Sequence, residues 1–322
     1  MSKTKSSKRP PKPEGLPPLE YVHVVGYFDS EISKPGNLFR QVLDTLRARF
    51  AEVVTIPSDM ALVLKRQDVP DKNDALLWQR GRELPRYKYA TEKCTLEELC
   101  QLTDRFPEAG SHLWAYAVQQ GYRAQRSLMG SDIVWILHLC PESNYAVAQS
   151  DTMVLLSVST SLFYPWGVDY PSKISTCFTD DVMKAYIQAG GLYYCLSTSS
   201  YFRDDHAGMS YWGVNSSNLN FSIEHALWTD AREARRDKVR GVYAGQYLSP
   251  VHLAKLGGKE AFIAGLLKEL NMPQDLVTDL GDAGMILHVT PTPIDNTSKG
   301  LHAGSVVAPW VFRRFRDAGL FL

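Results

Sequence analysis

Several signatures of catalysis are missing from this chain of 322 residues: it has no Gly-x-Ser-x-Gly elbow, no Walker loop and no dinucleotide-binding glycine pattern. Glu224-His225 looks like half of a zinc-protease helix, but that chemistry needs imidazoles at i and i+4, and position 229 is Thr. The five cysteines, Cys94, Cys100, Cys140, Cys177 and Cys195, are scattered without a Cys-x-x-Cys pair, which fits a reducing cytoplasm. No run approaches the ~20 apolar residues that span a bilayer, and no apolar stretch follows the first charges as a signal peptide requires. A cytoplasmic location is expected. Net charge is also absent: 35 Lys plus Arg balance 35 Asp plus Glu, leaving no overall field to attract nucleic acid.

What is present is unevenly placed. Lys3, Lys5, Lys8, Arg9 and Lys12 all precede the first acid, Glu14, so the rest carries 30 basic and 35 acidic groups, a net of −5. Residues 1–18 are Ser-, Lys- and Pro-rich with almost no apolar side chain to offset the entropy of ordering, and read as a disordered basic tail. Residues 19–322, with a hydrophobic fraction of 44% over the whole chain, support a packed domain, and 141–150 is the one candidate subdivision.

Tyr21 to Asp29, Met60 to Lys65, Ile133 to Leu139, Met153 to Val158 and Leu192 to Ser197 have the aromatic and β-branched content of strands. The third and fourth are apolar enough for the middle of a sheet. Asn37 to Phe50 sets Phe39, Val42, Leu43, Leu46 and Phe50 on one helical face. Ser111 to Gly121 also spaces Leu113, Trp114, Ala117 and Val118 as a helix would, and Thr95-Leu-Glu-Glu98 is a capping box opening a helix to about Thr103. Thr179-Asp180-Asp181 reads as a helix start ended by Gly190-Gly191, and Ile223 to Lys238 as another helix. Helices and strands mix without regular β-α-β alternation. The expected class is α+β, a mixed or antiparallel sheet packed with helices and carrying long aromatic-rich loops.

Near the end an apolar β-rich run leads to Ser249 and Pro250, suited to the N-cap and first position of a short helix that stops at Gly257-Gly258. A second helix, a strand and a closing amphipathic helix follow. That order, with Leu256-Gly257-Gly258 and the Pro291-Thr-Pro-Ile-Asp-Asn turn after a hydrophobic strand, resembles the C-terminal part of a bacterial immunity-protein family associated with type VI secretion. The resemblance covers about the last quarter of the chain. It implies an antidote that binds one secreted effector toxin and inactivates it stoichiometrically without catalysis or cofactor, the toxin being a cytoplasm-acting nuclease of restriction-endonuclease type.

Two segments suit such binding. Leu162 to Pro171 and Met209 to Gly213 carry Tyr164, Trp166, Tyr170, Tyr211 and Trp212 beside Pro, Gly and Asp169, with Tyr201, Asp204 and Asp205 nearby in sequence. Exposed Tyr and Trp anchor interfaces because they bury much area while losing few rotamers. The alternative is that these rings roof the core. Asp204, Asp205 and His206 also admit a metal-dependent hydrolase, although adjacent side chains on an extended segment point apart and no second ligand lies at a metal spacing. A secretion adaptor is the third reading. Arg232, Arg235, Arg236, Lys238 and Arg240, interleaved with Asp230, Glu233 and Asp237, are expected to form a solvated helix face, and Cys195 to be an inert buried thiol.

Overall fold

A computed structural model describes residues 20–29, 60–67, 89–93, 112–119, 133–141, 152–159, 172–201, 232–271, 274–289 and 308–322, with seven helical positions between 38 and 48. Ten strands form one sheet: β1 (Glu20–Phe28), β2 (Met60–Gln67), β3 (Tyr89–Lys93), β4 (His112–Gln119), β5 (Ile133–Pro141), β6 (Thr152–Ser159), β7 (Leu192–Tyr201), β8 (Gly245–Leu248), β9 (Val277–Asp279) and β10 (Met285–His288). Their order is β3-β2-β4-β5-β6-β1-β7-β8-β10-β9, and every pairing is antiparallel. The described helices are α1 (Ser172–Ala189), α2 (Pro250–Lys255), α3 (Lys259–Leu270) and α4 (Pro309–Asp317). This is the α+β class expected, with β5 and β6 inside the sheet as their apolar composition requires.

Register assigns the faces. Gly26 pairs with Val154 and Cys195, Val24 with Leu156 and Ser197, and Ser197 with Gly245, so these residues share one face. A Cβ at Gly26 would come within 2.7 Å of the Tyr186 ring on α1, which identifies this as the α1 face. Tyr186 also donates to the Val24 carbonyl and meets Phe28 edge-on, pinning the helix over β1. The opposite face presents Val25, Tyr27, Tyr194, Leu196, Leu248, Met285 and Leu287 to α2, α3 and α4 in one apolar cluster. Phe262 stacks between Trp310 and Phe315 there, with centroids 5.7 and 6.2 Å away. Full burial of one such ring is worth about 3 kcal/mol.

The C-terminal helices begin and stop where the residues direct. Ser249 caps α2 with Pro250 at the first turn, and the reciprocal partner is His252, whose Nδ1 accepts from the Ser249 N–H at 3.1 Å. Gly257 and Gly258 take φ of 92° and 99°, a left-handed turn that side chains resist, and the Gly258 N–H closes α2 on the Leu253 carbonyl. In α4, Val311 and Phe315 face the core four residues apart, and the chain end returns to bond Val239 through the Leu320 carbonyl.

Three expectations about secondary structure differ from the structure. Residues 112–119 form β4, not a helix: His-Leu-Trp-Ala-Tyr-Ala-Val-Gln is apolar at both periods, and pairing with β2 and β5 on either side selects the strand. Thr179-Asp180-Asp181 lies inside α1, which begins at Ser172, and Asp180 serves the sheet rather than a helix terminus. Of 223–238, the described part is a 3-10 turn at Arg232–Asp237. The helix expected from Thr95, the basic tail and the 291–296 turn lie outside the described residues.

Candidate functional site

Ser197, Gly245 and His288 stand in register on neighbouring strands β7, β8 and β10, all on the α1 face. Thr278 of β9 lies opposite Ile286 on the same face, and Asp180 comes down from α1. The Asp180 carboxylate holds His288 Nε2 through one oxygen and receives the Thr278 hydroxyl on the other at 2.5 Å. Ser197 and His288 are 2% and 3% exposed. A Cβ on Gly245 would collide with Ser197 Oγ and lie 2.8 Å from His288 Nδ1, so glycine here lets the hydroxyl and the imidazole approach each other.

An Asp-His-Ser order is that of a nucleophilic triad. Burial decides against that use at this cluster, because α1 covers a serine and an imidazole that a substrate would have to reach. Chemically the arrangement is a clamp: one carboxylate satisfies two donors from separate strands and fastens the last two strands of the sheet to α1.

The opposite face carries the basic cluster. Arg240 and Arg235 are each 4% exposed, and Arg240 donates to the Tyr27 hydroxyl at 2.6 Å. Arg235 and Arg236 lie over the Tyr193 ring at 5.9 and 5.8 Å, and Arg236 also pairs with Asp29 at 2.8 Å. Arg235 and Arg240 are therefore buried rather than part of the solvated face expected, while Arg236 stays partly exposed. A flat guanidinium stacks on tyrosine and keeps its hydrogen bonds at low exposure, which no count of alternating charges reveals. Burial raises the Tyr194 hydroxyl and the Cys195 thiol well above their ordinary ranges, and Cys195 is the inert buried thiol anticipated. His252, wholly buried, is pushed down to about 4, mainly by burial. The described residues hold no group of three or more His, Cys, Asp or Glu fit for a metal, and no described helix is long and apolar enough to cross a membrane.

Tyr164, Trp166, Asp169, Tyr170, Asp204, Asp205, His206, Tyr211 and Trp212 lie outside the described residues, while Tyr201 is the last residue of β7, opposite Glu20. Tyr21 of β1 pairs with Ser159 on one side and Ser200 on the other, so the C-terminal ends of β6 and β7 lie at the same end of the sheet, about 10 Å apart across β1. α1 begins at Ser172, where the first segment ends. The sequence carries no local sign of the Asp180 clamp, whose members come from a helix and two strands separated by up to 108 positions.

The class defined here is an α+β protein whose antiparallel sheet has a buried polar clamp on one face and an apolar cluster with arginine–tyrosine contacts on the other. No family model and no curated protein matches the chain by sequence. Its fold is similar to a solved structure described as Pseudomonas aeruginosa T6SS protein PA0821, at a TM-score of 0.52 and 10% identity over 94% of this chain and 75% of that one. The likeness is one of fold.

Proposed function

We propose that this chain is an immunity protein of a type VI secretion system, one that binds a cognate effector toxin and inactivates it by stoichiometric, non-covalent contact. The observation that carries the reading is the likeness in fold, over 94% of the chain, to a protein whose description names that secretion system. The C-terminal resemblance agrees with it, since Ser249 caps α2 and Gly257-Gly258 separates α2 from α3 as that pattern requires. The toxin in this reading is a nuclease acting in the cytoplasm, where the antidote also resides, and no cofactor is needed.

The proposed contact surface comprises Tyr164, Trp166, Asp169, Tyr170, Tyr201, Asp204, Asp205, Tyr211 and Trp212. Support comes from β6 and β7, the strands that precede these residues in the chain, whose C-terminal ends lie together at one end of the sheet. Aromatic anchors supply affinity, and the carboxylates complement a basic nucleic-acid cleft and speed association. Trp166→Ala and Trp212→Ala are expected to weaken toxin binding while leaving the melting temperature near wild type. Unfolding of either variant would place that ring in the core.

The test is to recover the tagged protein from its native cell, identify any partner present at near-equal amount and co-express the two. Lost lethality of a secreted partner establishes the antidote. A stoichiometric partner that stays lethal points to an adaptor, which the neighbour's description accommodates equally. With no partner, a divalent-ion-dependent rise in melting temperature that disappears in Asp205→Ala would favour the hydrolase of Asp204, Asp205 and His206.

A further inference from the structure

Gln246 lies in the middle of β8 on the face that carries the apolar cluster. It stands in register between Leu196 of β7 and Leu287 of β10, and Ala244 and Leu248 flank it along the strand. Its side chain is 0% exposed, yet neither Oε1 nor Nε2 has a hydrogen-bond partner in the protein. A primary amide in apolar surroundings without partners is costly, and buried polar groups of this kind are ordinarily satisfied by enclosed water when protein atoms do not reach them. Nothing in strand pairing demands the residue, because β8 pairs through its backbone.

A second group on this side of the sheet points the same way. His252 of α2 is 0% exposed, and its ring meets Tyr194 edge-on at 6.2 Å, while Tyr194 is the face neighbour of Leu196. Nδ1 accepts from the Ser249 N–H, which leaves the proton on Nε2; that atom faces the Lys238 carbonyl without reaching hydrogen-bond geometry. The Gln246 amide, with two donor hydrogens and one acceptor oxygen, lies on the face of β8 that α2 helps to cover, and the His252 Nε2–H beside the Lys238 carbonyl is on that same side.

We infer that the layer between β8 and α2 is an internal hydration site, in which the Gln246 carboxamide is the principal ligand of bound water and His252 Nε2–H a further donor. The ligand is water rather than an ion, since both side chains are neutral and no carboxylate belongs to the set. This inference is independent of the proposed antidote role.

The deciding measurement is water-to-amide cross-relaxation at the side-chain Nε2 protons of Gln246 in the deuterated full-length wild type. Cross-peaks from a long-lived water are expected. Their absence overturns the inference. Gln246→Met, of nearly the same shape, provides a second readout: with water bound to the amide, the substitution strips the water of partners and leaves the melting temperature unchanged or lower. If the amide is unsatisfied, removing it relieves the cost and raises the melting temperature by ~2 °C or more, which also overturns the inference. Because the wild-type measurement stands alone, a variant that fails to fold leaves the question decidable.

Discussion

The two faces of the sheet are held by different chemistry. On one, α1 is fastened by Tyr186 at β1 and by Asp180 at β9 and β10, so a few directional contacts set its position. On the other, α2, α3 and α4 close over a continuous apolar cluster in which Phe262, Trp310 and Phe315 stack. Apolar burial is strong but non-directional, whereas a buried carboxylate with two bonded donors fixes one geometry and loses heavily if either donor is removed. The helical face should therefore dominate stability, and the α1 face should dominate alignment.

Substitutions can break this contrast in order of size. Phe262→Ala should cost the most, about 3–5 kcal/mol, because it leaves a cavity between two rings; a smaller loss in denaturant titration would mean the cluster collapses around the gap. Acid comes next and also acts on the helical face. His252 is held neutral by burial, so its contribution is complete above its unfolded value near 6.5 and is lost as pH falls toward about 4, a drop of about 3 kcal/mol. Following unfolding free energy from pH 7 to 4 in wild type and His252→Gln checks this, since the variant should show a flatter profile.

Asp180→Asn should cost about 2 kcal/mol by weakening charge-assisted bonds to His288 and Thr278, with faster hydrogen exchange concentrated in β9 and β10. Uniform exchange across the sheet would show that Asp180 does not act locally. The smallest effect belongs to Lys259→Ala. Its partner Asp279 sits at the surface, and although each group shifts the other's titration, solvent screens the pair. No measurable change in melting temperature is expected.

The parts read correctly from sequence are those set by neighbours along the chain. Ser249-Pro250 and Gly257-Gly258 start and stop α2, Gly190 and Gly191 with φ of 81° and 75° end α1, and the apolar runs at 133–139 and 153–158 are interior strands. The error at 111–121 has the opposite origin. Leu113, Trp114, Ala117 and Val118 satisfy a helical spacing, but the intervening Ala115 and Tyr116 satisfy a strand as well, and only β2 and β5 settle the choice. Charge alternation at 230–240 does not reveal that Arg235 and Arg240 are buried, because their partners Tyr193 and Tyr27 lie some 40 or more positions away.

By itself the sequence determined the α+β class, the caps and glycine stops of the C-terminal helices and the burial of Cys195, because each depends on local conformational preference or on a run of apolar side chains. Only the tertiary structure decided that Asp180 meets His288 and Thr278, that Gly245 brings Ser197 and His288 together, and that Arg235 and Arg240 are buried. Those contacts join residues from distant parts of the chain, and their energies exist only once sheet register has placed the groups within hydrogen-bond reach.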